Sequence, residues 1–152
     1  MGYTTDFEGQ INIQPPLNPT EIKYLSAFFK VRHMERDDGP YYVGGGEEGV
    51  FDQNQTDPSQ PKYGLWCDLE VAEDGTAIRW NGSEKSYAMD EWMEYIIEHF
   101  IGKDPIAKKE NSHFGFLDGH TVEGIMYAQG EDSDDTWQLH VSDGKVFKRI
   151  TG

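Results

Sequence analysis

Residues 87–101 constrain this chain more than any other stretch. Met89, Trp92, Met93, Ile96, Ile97, Phe100 and Ile101 recur at the three- and four-residue intervals of an amphipathic helix with one face against a core. Asp90, Glu91, Glu94 and Glu98 fall on the opposite side, which is expected to be solvated. Ser86 is the expected N-cap, and Gly102 the expected left-handed residue after the last turn, with Lys103 beside the negative end of the dipole. Just upstream, Leu65, Cys67, Leu69 and Val71 alternate with Trp66, Asp68 and Glu70, the period of a strand with one buried face. Asp74-Gly75 then predicts a two-residue hairpin loop, and Ile78 and Trp80 share one face of the returning strand.

The rest of the chain is read around this unit. Residues 3–13 alternate Phe7, Ile11 and Ile13 with polar neighbours, predicting a first strand with a bulge at Gly9 and an end at Pro15-Pro16. A helix over 18–34 follows: Asn18 is the N-cap, Pro19 occupies the first turn, Glu21 completes a capping box, and Leu17 and Ile22 form a hydrophobic staple. Ile22, Leu25 and Phe29 make its apolar stripe, widened by Tyr24, Phe28 and Val31. Residues 38–63 lose periodicity among glycines and prolines and read as one long loop, with short strands at 41–43 and 50–51, poised as a lid over the end of the first helix. After a polar connection at 103–111, strands are expected at 113–117, 121–129, 136–142 and 145–150, with turns at Asp118-Gly119 and Asp143-Gly144.

The fold class is therefore α+β in a single domain over 1–152: a mainly antiparallel sheet with two helices on one face, a split β-α-β-like start and a C-terminal β-meander. Trp92, Ile96 and Phe100 are expected to be among its best buried residues.

Charge narrows the partners. Thirteen Lys and Arg against 28 Asp and Glu leave a net charge of −15, which argues against direct nucleic-acid or membrane binding and for a protein partner with a basic surface. An acidic mimic of DNA is a lesser alternative, and a homo-oligomer is compatible with the sequence. The single cysteine, Cys67, fits a reduced compartment, and with neither a signal peptide nor a membrane span in view the expected location is cytoplasmic.

Few residues announce chemistry. Arg32, His33 and Arg36 form the one basic cluster, and with Lys85, the glycine-rich stretch and Tyr42 as a lining residue they could grip a carboxylate or phosphate, His33 titrating near neutrality. The bland alternative is that these cations complement the end of a helix and pair with Glu35, Asp37 or Asp38. GGGEEG at 44–49 satisfies G-x-G-x-x-G in letters only, since Glu47 and Glu48 would repel a pyrophosphate and no helix follows. Cys67 reads as packing. The histidines show no zinc spacing, and GEDSDD at 130–135 lacks the order of a calcium loop, so neither metal nor cofactor is called for and the loop reads as solvated.

MGYTTDFEG at the start, FKVRHMERD at 29–37, GLWC at 64–67, DGTAIRWNGSEKSY with EWMEYIIEHF, and FGFLDG with the later GED and SDGKV together resemble a group of small uncharacterised bacterial and phage proteins carried by mobile elements and gene cassettes. The group has no activity or ligand to carry over. His33 and Ser86 stand where it is expected to hold an arginine and an aromatic residue, Asp68-Leu69 where it holds Gln-Trp, and the 38–63 region is shorter here. Two function classes follow. The first is a non-enzymatic accessory or protein-interaction protein of a mobile element; the second is a binder of anions or nucleotides, or an enzyme, with its site at the end of the first helix.

Overall fold

The computed structural model describes residues 3–37, 39–44, 50–61, 65–83 and 86–152, the side chains of 51–54 excepted. In chain order the elements are β1 (Asp6–Gln14), α1 (Pro19–Phe28), β2 (Met34–Arg36), β3 (Val50–Thr56), β4 (Leu69–Val71), β5 (Ala77–Trp80), α2 (Met89–Ile96), a π-helical turn (Ile97–Ile101), α3 (Ile106–Glu110), a 3-10 turn (Ser112–Phe114), β6 (Thr121–Gln129), β7 (Thr136–Ser142) and β8 (Lys145–Ile150).

Six strands form one antiparallel sheet in the order β4-β5-β1-β6-β7-β8, and β2 pairs with β3 in a separate hairpin. The crossover β1-α1-β4 leaves β5 between its strands, and β5-α2-β6 leaves β1 between its own. That is the split β-α-β arrangement made twice, with β7 and β8 added as a meander. Strand alternation decides the faces: Phe7, Ile11 and Ile13 of β1, Val122 and Met126 of β6, and Leu139 and Val141 of β7 are buried against the helices. From the helices come Leu25, Phe28, Trp92, Met93, Ile96 and Phe100, of which Trp92, Ile96 and Phe100 expose 1%, 0% and 0% of their surface, as the periodicity requires.

Local chemistry explains where elements begin and end. The Asn18 side chain accepts the Glu21 amide at 2.8 Å while Glu21 Oε1 accepts the Asn18 amide at 2.9 Å, the reciprocal cap expected for α1. α1 nevertheless stops at Phe28, because His33 turns inward and its Nε2 meets the Phe28 carbonyl at 2.9 Å. Residues 34–36 are thus strand rather than helix, and Arg32, His33 and Arg36 do not share helical spacing. Ser86 does not cap α2: its hydroxyl accepts from Trp80 Nε1 and donates to the Ser83 carbonyl, and the cap position falls to Ala88 at φ 56°. Gly102 is extended rather than left-handed, because its amide closes a π turn onto the Ile97 carbonyl at 2.8 Å.

Other expectations are corrected similarly. Cys67 is buried but lies before the short β4, and the Asp74-Gly75 turn is a four-residue loop closed by the Ala72 amide on the Ala77 carbonyl, with only Gly75 at positive φ. Gly9 does not bulge: β1 and β6 stay in register from Asp6 to Gln14. Gly9 does adopt φ +92°, and a Cβ there would run into the Ile125 carbonyl oxygen. No strand forms at 113–117 or 41–43; a 3-10 turn and irregular chain stand there. Asp143-Gly144, both at positive φ, makes the expected two-residue hairpin. Among the described residues no helix is long and apolar enough to cross a membrane.

Candidate functional site

At the end of α1 the predicted basic residues separate by depth. His33 is 3% exposed, wedged against the rings of Phe28 and Trp92 at 4.2 and 5.0 Å. Burial, only partly opposed by the hydrogen bond to Phe28, lowers its pKa to about 4, so it is a neutral core residue and does not titrate near pH 7. Arg36 is 6% exposed; its guanidinium lies 5.0 Å from the Tyr42 ring centroid and its Nη2 donates to the Arg32 carbonyl at 3.0 Å. Arg32 stands 5.9 Å over Trp66, which is 45% exposed. Arg36 and Tyr42 thus meet, with Arg32 and Trp66 beside them, whereas Lys85 and residues 45–49 of the glycine run lie outside the described residues.

A second constellation, not foreseen, gathers at the π turn. That turn carries His99, whose Nδ1 lies 2.6 Å from the Tyr41 hydroxyl and whose ring stacks on Tyr95 at 3.9 Å. Burial lowers the His99 pKa, with Glu110 opposing, so the neutral ring accepts a hydrogen bond from the Tyr41 hydroxyl; Tyr41 itself is pushed up to about 12, first by burial and then by Glu110. Tyr24 donates to the Tyr41 carbonyl at 2.6 Å, and Gln60 Nε2 donates to the Pro40 carbonyl at 2.7 Å. Tyr41 and Val43 are thereby packed on the core and β3 is paired with β2, so the described parts of the 38–63 segment are not a free lid. Gln60 Oε1 is buried with no hydrogen-bond partner among the described residues.

Beside these rings opens a groove of about 250 Å³ lined by Ser59, Pro61, Glu91, Glu94, Tyr95, Glu98 and His99. Its carboxylates come from consecutive turns of α2 and the π turn, all exposed, and among the described residues none of the three makes an ion pair. Like charges at this spacing oppose helix formation. Burial, and after it the nearby Glu94, raises the Glu98 pKa. Ser59 is no activated nucleophile: its hydroxyl donates to Asp57 at 2.6 Å, and His99 is engaged by Tyr41. What the groove can do is accept a cation with an apolar stem, carboxylates at the rim and aromatic surface below. The sequence showed these acids only as a helix's solvated side; the approach of residues 41 and 57–61 is tertiary and leaves no local signal.

Two further groups are structural. Glu21 and His120 are fully buried and 2.8 Å apart, with His120 Nδ1 2.6 Å from the Pro15 carbonyl. Cys67 is inaccessible, and burial raises its thiol well above the ordinary range. In the loop at 130–135, Asp135 accepts from the Tyr3 hydroxyl and Glu131 from the Thr4 amide. No group of three His, Cys, Asp or Glu that could hold a metal ion occurs among the described residues. Fold and groove define an α+β protein with an acidic, aromatic-floored helix face. Comparison with protein-family models, with curated proteins and with solved structures finds no match to any.

Proposed function

We propose that this chain is a non-enzymatic interaction protein, of the accessory kind carried by mobile elements, which receives a lysine- or arginine-bearing surface of another protein on the acidic face of α2 and the π turn. One observation supports this above the rest: Glu91, Glu94 and Glu98 crowd together over Tyr95 and His99 with no cation to offset them among the described residues. An incoming Lys or Arg stem would lie on Pro61 and Tyr95, and its charge would offset the burial, and after it the Glu94 charge, that raise the Glu98 pKa. The net charge of −15 would steer such a partner toward the chain. A buried, unpaired thiol suits a reducing cytoplasm.

The test is titration with Lys/Arg-rich peptides, beside pull-down from a cell extract. Binding should weaken with salt and be lost in Glu94→Lys combined with Glu98→Lys, provided thermal unfolding shows the variant folded. Binding that survives both reversals would overturn the reading.

A second reading is favoured by the stacking of Arg32 on half-exposed Trp66 next to Arg36 and Tyr42. There, with His33 as a buried support, an anion such as a nucleotide or carboxylate would bind. A ligand at one hundred times its dissociation constant adds about 2.7 kcal/mol to stability. Such stabilisation by one anionic class, abolished by Arg32→Ala, would favour this site over the groove.

A further inference from the structure

The sheet face turned away from the helices carries its charge in an ordered way. On β1, Asp6 and Glu8 are exposed, and on β6 so is Glu123; on β8, at the opposite edge, Lys145 and Arg149 are exposed. None of these five makes an ion pair among the described residues. Between the two signs lies a mixed surface, Ile125 and Tyr127 of β6 beside Gln138 and His140 of β7. Register places Gln10, Ile125, His140 and Phe147 in one cross-strand row, and Glu8, Tyr127, Gln138 and Arg149 in the next. Tyr127 and Phe147 are 51% and 54% exposed, unusual for large rings on a sheet that already has one covered face.

We infer that this face is the contact between two copies of the chain, packed sheet against sheet about a two-fold axis that runs parallel to the strands between β6 and β7. The distribution of charge selects this occupant. A basic partner covering the face would meet Lys145 and Arg149, and an acidic partner would meet Asp6, Glu8 and Glu123. A second copy related by that axis meets neither like sign: β1 of each copy lies over β8 of the other, and β6 over β7. Because rows are preserved by the axis, Glu8 faces Arg149 of the other copy and Arg149 faces its Glu8, the reciprocity an isologous contact requires. Ile125 then stands over His140, and Phe147 over the stem of Gln10, at the roughly 10 Å spacing of packed sheets. A recess of about 460 Å³ bounded by Asp6, Glu8, Tyr127 and Gln138 gives the arginine room to enter. Four strands at about 4.8 Å spacing make a projected footprint of roughly 400 Å², small for a stable interface, so the dimer is expected to dissociate on dilution.

Sedimentation velocity over a wide range of protein concentration, at physiological salt, tests this. The unaltered chain should pass from monomer to dimer as concentration rises. Glu8→Arg alone and Arg149→Glu alone should each weaken the dimer at least about tenfold, since every charge counts twice by symmetry, while Glu8→Arg with Arg149→Glu should restore it. Both positions are exposed strand sites, and circular dichroism of each variant confirms that the fold is kept. A chain monomeric at every concentration would overturn the inference. So would a dimer indifferent to either single reversal, or a double variant that stays as weak as the singles.

Discussion

His120 and His33 sit in opposite electrostatic settings. Both ring nitrogens of His120 face acceptors, the Pro15 carbonyl and the Glu21 carboxylate, a setting that favours the doubly protonated ring. Burial alone would lower its pKa, but the bonds to Glu21 and Pro15 and the Glu21 charge raise it above 6.5. Its contribution to stability is therefore complete below about pH 6.5 and lost as pH rises through the folded value. His33 is the reverse: with its pKa lowered from 6.5 to about 4, its contribution is present above 6.5 and lost as pH falls toward 4, at up to about 1.4 kcal/mol per pH unit. Asp68, raised to about 6 chiefly by burial, works against His33 over much of that range and makes the acid limb shallower. Urea denaturation as a function of pH should show a maximum near neutrality. Glu21→Gln should cost about 3–5 kcal/mol, because it leaves a buried imidazolium without its counter-charge, and should flatten the alkaline limb. An unchanged alkaline limb would mean that His120 is neutral in the fold.

Among the elements, those written in local chemistry were legible. The Asn18 cap, the α2 stripe and the Asp143-Gly144 hairpin all follow from residues within a turn or two of one another. Where an end was misread, a neighbour five or six residues away had taken a terminal atom by a bond outside the usual capping patterns: His33 on the Phe28 carbonyl, Trp80 on Ser86, the Gly102 amide on Ile97. The groove was hidden for another reason: its contacts are long-range, Tyr41 reaching His99 across 58 residues. Gly9 shows how a local signal can be right about the residue and wrong about its role. Its positive φ serves close approach to the neighbouring strand rather than a bulge, because the backbone of β6 occupies the space a Cβ would need. Gly9→Ala should destabilise by about 2–4 kcal/mol in chemical denaturation, with the β1–β6 amides losing hydrogen-exchange protection first. A neutral substitution would show that the two strands can separate slightly without cost.

For the whole molecule, the order of elements was enough to anticipate the split crossover, because two helices between strand pairs can cover one face of an antiparallel sheet in few ways. Trp92→Ala or Phe100→Ala, each opening a cavity between helices and sheet, should cost about 3–5 kcal/mol by chemical denaturation, much of what a domain of this size has. The topology also bears on how the chain reaches this state. β1 is the first strand made, yet its partners lie far along the chain: Ile11 aligns with Ile78 on one side and Gly124 on the other. Loops of that length must close before the central pairing yields anything, so folding should be slow for the chain's size, whereas β6, β7 and β8 can zip locally. During synthesis β1 must therefore wait with one edge bare until residues 77–80 have emerged and the other until residue 129, and it is in that interval that the nascent chain is most open to mispairing.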